Sequence, residues 1–241
     1  MNEVSQRTVT FKHALAWWAV AIVLCMPVVV WSVSVGNPLE YLFQPVPAGQ
    51  MLYVVAKLAG LLAICMFWAQ ALLALARHTP VLKGFPTSSP TLHRRMGLVT
   101  VALVIAHVGF FVAAASLRKK ELAIDLLLPN FTHGYYFMFV GLGAIAFWIV
   151  MAAAFAGWRI SRGHRIWKSM HMLWPAAFIA SFAHAYAVGT ESRYGAMRYV
   201  SLLIAISLMV ALLSRLSAAW RLRRAGKASG VCSPRTSVNP L

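Results

Sequence analysis

Residues 92–115 read LHRRMGLVTVALVIAHVGFFVAAA, and residues 170–188 read MHMLWPAAFIASFAHAYAV. Both are apolar runs on the scale of a bilayer-crossing helix, which needs about 20 residues. Each run holds two histidines, His93 and His107 fourteen residues apart, and His171 and His184 thirteen apart. Ionisable side chains are rare in such helices and mark functional positions there.

The rest of the chain has the same character. It is 61% hydrophobic, with a mean hydropathy of +0.72 and only five acidic residues among 241. Few soluble domains could hide so much apolar surface, so the expected class is an all-α, multi-pass membrane protein. Six apolar stretches are expected as helices, near residues 14–35, 48–76, 94–116, 134–157, 168–189 and 197–214. They define a six-helix domain over 14–215, after a short N-terminus (1–13) and before a basic, disordered tail (216–241). The first stretch has the look of a signal peptide, but its length and lack of a small-residue cleavage site point to a retained anchor. Cys25 and Cys65 lie in apolar stretches and Cys232 in the tail; with no CxxC pair, no thiol chemistry is expected.

Basic residues sort the loops. One side carries Arg7, Lys12, Arg77, Lys83, Arg94, Arg95, Arg159, Arg162, Arg165, Lys168 and the arginines of the tail. The other side carries Arg118, Lys119, Lys120, Arg193 and Arg198, with Glu40, Glu121, Asp125 and Glu191. The positive-inside rule puts both termini in the cytoplasm, in a bacterial inner membrane. It also accounts for the formal charge of +17 without nucleic acid as a partner. Residues 122–131 are apolar but too short to span, and are expected on the outer surface or over the bundle mouth.

In this topology the third and fifth helices run the same way. His93 and His171 sit near the inner face, and His107 and His184 lie roughly 20 Å further out. Haem iron held by imidazoles needs a ring on each side of the porphyrin. Two helices with two histidines each could hold two haems, one per leaflet. His93 and His107 share a helix face, within about 40°. On an ideal helix His171 and His184 diverge by about 140°. Pro175, whose ring opposes the His171 carbonyl, is expected to bend that helix. Each ligand ring is expected to donate its second N–H to a carbonyl one turn back.

Arg94, Arg95, Arg165 and Lys168 flank the inner level, as propionate partners or as topology determinants. Lys57 lies inside the second helix, where it either snorkels or neutralises an outer propionate. His164, in a basic loop, is an alternative inner ligand, and His133 stands at the outer mouth. Gly141 and Gly143 in the fourth helix read as a packing notch.

The segment T-L-H-R-R-M-G, with His107 fourteen residues beyond its histidine, and His171 with His184 resemble the ferric reductase-like transmembrane family of ferric-chelate reductases and NADPH oxidases. The resemblance runs over about residues 50–215. It implies a six-helix bundle around two b-type haems, with His93 paired to His171 and His107 to His184. R-R-M-G-L and H-R-I-W-K-S-M-H are also similar to the membrane haem subunit of the periplasmic methionine sulfoxide reductase system, whose pattern has no counterpart of His93.

Ferric reductases and NADPH oxidases carry a flavin and nicotinamide domain after the sixth helix, and no strand–GxGxxG–helix unit occurs here. The expected function is a b-type cytochrome fed from the cytoplasmic side by a separate flavoprotein (FMN or FAD) or a quinol. The outer acceptor would be a ferric chelate, drawn by Arg118, Lys119, Lys120, Arg193 and Arg198, or a periplasmic reductase. A histidine-lined metal transporter is the rival class, disfavoured because no Asp or Glu falls inside an expected span.

Overall fold

The computed structural model describes residues 3–76, 79, 90–132, 134–159 and 165–229. Every regular element among them is helical. Apolar runs this long satisfy all their backbone polar groups only as helices when water is absent. In chain order the elements are α1 (Glu3–Val35), α2 (Glu40–Phe43), α3 (Gln50–Ala76), α4 (Pro90–Lys119), a 3-10 turn (Ile124–Leu127), α5 (Tyr135–Arg159), α6 (Arg165–His171), α7 (Trp174–Val188), α8 (Thr190–Tyr194) and α9 (Met197–Ser229).

Among the described residues, five helices are long and apolar enough to cross a membrane: Trp17–Val35, Gln50–Ala76, Pro90–Lys119, Tyr135–Trp158 and Met197–Arg221. The fifth expected span, 168–189, is not one helix. α6 ends at His171, Met172 and Leu173 form a turn in which the Leu173 N–H bonds to the Met170 carbonyl at 3.1 Å, and α7 starts at Trp174. Pro175 falls in the first turn of α7, where a missing N–H is harmless. α7 has 15 residues, about 22 Å of helix, short of the ~30 Å hydrocarbon core.

α9 also departs from expectation. It continues through Ser229, so residues 216–229, expected as disordered tail, are helical; they are rich in Ala, Arg and Leu, strong helix formers.

α3 is the centre of the bundle. Of its most apolar window 61% is buried, against 11–22% for the other four long helices. It packs on α1, α4, α7 and α9. Small residues at Ala56, Ala59, Ala63, Ala69 and Ala71 bring those neighbours close. On its α1 and α9 flank, Cys65, Leu73, Met197 and Ile204 are fully buried, and the Trp68 indole donates to Ser207 Oγ at 2.8 Å. The opposite flank belongs to two helix pairs, α3 with α4 and α5 with α7. Between these pairs lies a cavity.

Residues 120–131 fold back along α5. The Trp148 indole donates to the Leu127 carbonyl at 2.9 Å, and the Ala123 N–H to Ser116 Oγ at 3.0 Å. A Cβ on Gly141 would stand 3.1 Å from the Asn130 backbone nitrogen, so the missing side chain admits the returning loop. The apolar loop thus lies along α5, and its Leu126 and Leu127 reach the cavity wall.

Candidate haem site

α4 presents His93 in its first turns and His107 near its middle; α6 ends on His171, and α7 carries His184. The structure brings these together in two facing pairs. Ring centroids are 5.9 Å apart for His93 and His171, with planes at 77°, and 6.2 Å for His107 and His184, with planes at 69°. The turn between α6 and α7 resets the angular phase, so both rings face α4 despite the thirteen-residue interval.

The His107–His184 pair is the better enclosed. His107 Nδ1 lies 2.8 Å from the Ala56 carbonyl of α3, and His184 Nδ1 2.8 Å from the Phe139 carbonyl of α5. A carbonyl only accepts, so in both rings the proton sits on Nδ1 and the Nε2 lone pair is free for a ligand. The expected partner was a carbonyl one turn back in the same helix; the actual partner belongs to the neighbouring helix in each case. Phe111 stacks beside His107, with centroids 6.5 Å apart.

The two rings border a cavity of about 1370 Å³, its open mouths included. Its wall is mainly apolar, with Ile64, Phe67, Val104 and Phe147 among the contributors, and the folded-back loop supplies Leu126 and Leu127. Polar groups gather at one end. There the Lys57 ammonium forms an ion pair with Glu191 and donates to Thr190 Oγ1 at 3.3 Å. Thr190 Oγ1 in turn donates to Glu191 Oε2 at 3.0 Å. Burial alone would push the Glu191 carboxyl up; hydrogen bonds from Lys57, from its own backbone N–H and from Thr190, together with the Lys57 charge, outweigh it and hold the carboxyl below its ordinary value. Lys57 therefore has a protein carboxylate as partner, which neither sequence-based alternative included. The basic residues nearby are also engaged, Arg118 with Gln50 and the Ala48 carbonyl, and Lys119 with Asp125 at 3.2 Å.

The second pair is more open. His171 is exposed, and Trp167, one turn earlier on α6, stacks on it with centroids 5.0 Å apart and planes within 10°. The Gln70 amide nitrogen of α3 lies 3.5 Å from both His93 Nε2 and the His93 carbonyl. Thr100 Oγ1 stands 3.4 Å from Gln70 Oε1. Arg94 and Arg95 are exposed beside His93. Of Arg165 and Lys168 only the helical backbone of α6 is described, and His133 and His164 lie outside the described residues.

Among the described residues no group of three or more His, Cys, Asp or Glu side chains is placed to hold a metal ion. Paired histidines suit a group that brings its own equatorial ligands. A metal–imidazole bond is about 2 Å, and with the ring centre about 1.1 Å behind the nitrogen, two opposed rings have centroids about 6.2 Å apart. Both observed separations match that spacing, so the residues present fit haem.

Gly60, Gly143, Gln70 and Trp167 received no role in the site from sequence. Only the Gly141–Gly143 notch left a trace there, and its second glycine proves to pack against His184.

Five long apolar helices around a central cavity define a multi-pass membrane protein among the described residues. The family model for the ferric reductase like transmembrane component matches residues 59–182, just over half of the chain, and the chain belongs to that family. No curated protein and no solved structure matches it.

Proposed function

We propose that this protein is a b-type cytochrome that moves electrons across a bacterial inner membrane, with both termini cytoplasmic and α6–α7 together forming the fifth of six crossings. The observation that carries the reading is the pair of matched imidazole separations, 5.9 and 6.2 Å, at two levels of one bundle. His93 with His171 would hold an inner haem, and His107 with His184 an outer one. Arg94, Arg95, Arg165 and Lys168 are the cations for the inner propionates, and Lys57 is the cation at the outer end of the cavity. Haem so bound supplies a one-electron couple whose potential is set by burial and by hydrogen bonds to its ligands.

The chain's own work is then positional and electrostatic. α3 and α5 lock the tautomer of the outer rings, and the apolar wall keeps water from the cavity. Electrons enter at the His93 level from a flavoprotein or a quinol and leave at the His184 level. The acceptor is a ferric chelate or, on the similarity to a methionine sulfoxide reductase haem subunit, a periplasmic reductase. His93 facing His171 favours the first, two-level arrangement.

Purified protein should be red, with two haems per chain and a reduced-minus-oxidised spectrum of low-spin b type. Colourless protein from haem-replete cells would overturn the reading and return the histidines to the transporter class.

A further inference from the structure

The two outer ligands are seated by the same device, used twice. In an α-helix the carbonyl of residue i points at residue i+4. A ring that reaches the Ala56 carbonyl must therefore lie over Gly60, and one that reaches the Phe139 carbonyl must lie over Gly143. A Cβ on Gly60 would stand 2.8 Å from His107 Nδ1 and 2.9 Å from Cε1. A Cβ on Gly143 would stand 2.7 Å from His184 Nδ1 and 2.9 Å from Cε1 and Cγ. The two glycines are on different helices, each four residues beyond the carbonyl that its histidine uses. Gly109 on α4 has nothing within 4 Å of its Cβ position, so close approach is not general to this bundle's glycines.

We propose that Gly60 and Gly143 are positioning residues for the outer ligand pair: the absent side chains let each imidazole bond a neighbouring helix's carbonyl while its Nε2 faces the opposite ring. The proposal rests on the haem reading for its consequence and on ring packing for its geometry. A methyl group at either position forces the ring off its carbonyl or the helices apart. Either movement takes Nε2 out of line, and loss of the Nδ1 hydrogen bond makes the ligand less basic.

The test uses Gly60→Ala, Gly143→Ala and, as control, Gly109→Ala in the full chain. The first two should drop haem from two per chain toward one, or shift the outer midpoint potential upward and alter its low-spin EPR signal, with the inner signal unchanged. Gly109→Ala should match the parent. Unchanged haem content, potential and EPR in both variants would overturn the proposal. If a variant folds poorly, a stability cycle decides. Alanine is the better helix former, so Gly60→Ala should lower the melting temperature of the parent and raise it in a His107→Ala background, where the ring is gone. Destabilisation of the same size in both backgrounds would also overturn it. An inverted sign in protein that binds no haem would sink the cytochrome reading alone and leave the packing role standing.

Discussion

His107 and His184 face each other across the cavity with ring centroids 6.2 Å apart, each fixed from behind by a backbone carbonyl at 2.8 Å. Neither ring can turn without breaking its bond to the adjacent helix. The pair is thus preorganised for the outer haem proposed above. Replacing either histidine by alanine should remove the outer haem alone and halve haem per protein, measured by pyridine haemochrome against protein mass. Loss of both haems, or of neither, would contradict the pairing.

The other pair depends on side chains rather than backbone. Trp167 stacks on the exposed ring of His171. An aromatic contact of this kind contributes about 0.5–1.5 kcal/mol. Trp167→Ala should therefore weaken inner haem retention by roughly two- to tenfold. Haem transfer to apomyoglobin would measure it, and the rate from the outer level should stay constant.

How much of this was legible in sequence depends on range. α3, α4 and α5 lie within four residues of their expected bounds because an apolar run announces itself locally. The levels of the four histidines followed from rise per residue. The break at Met172 and Leu173 showed only as Pro175, since a proline signals a disturbed helix without saying where the turn falls. The Ala56 and Phe139 carbonyls could not be foreseen, because every residue has a carbonyl and only packing selects one. Gly60 likewise gains meaning only from the ring laid over it. Lys57 and Glu191 are ion-paired across 134 positions, a contact that no local pattern encodes.

Trp148 ties the folded-back loop to α5 through the Leu127 carbonyl, and Leu126 and Leu127 form part of the cavity wall. Trp148→Phe keeps the bulk and deletes the donor, at a cost of about 0.5–1.5 kcal/mol. Amide hydrogen exchange over residues 122–131 should quicken, while exchange in α3 should hold. Unaltered exchange in the loop would show that apolar packing alone retains it.

Lys57 and Glu191 give the protein an acid-sensitive clasp between α3 and α8. The Glu191 carboxyl is held below its ordinary value of 4.5 when folded. A depressed carboxyl contributes stability that is complete above the unfolded value and fades as pH falls through the folded one. The parent should therefore lose thermal stability on acidification below about pH 4.5, and Glu191→Gln should lose less over the same interval because it has no charge to neutralise. At neutral pH, Lys57→Met leaves the carboxylate without its cation in a largely buried position, costing about 1–3 kcal/mol. The double variant Lys57→Met with Glu191→Gln should recover part of that loss, since no uncompensated charge remains. Melting curves in detergent at pH 7 and below pH 4.5 separate these cases. A Glu191→Gln protein whose acid sensitivity equals the parent's would show that the clasp does not govern stability in that range.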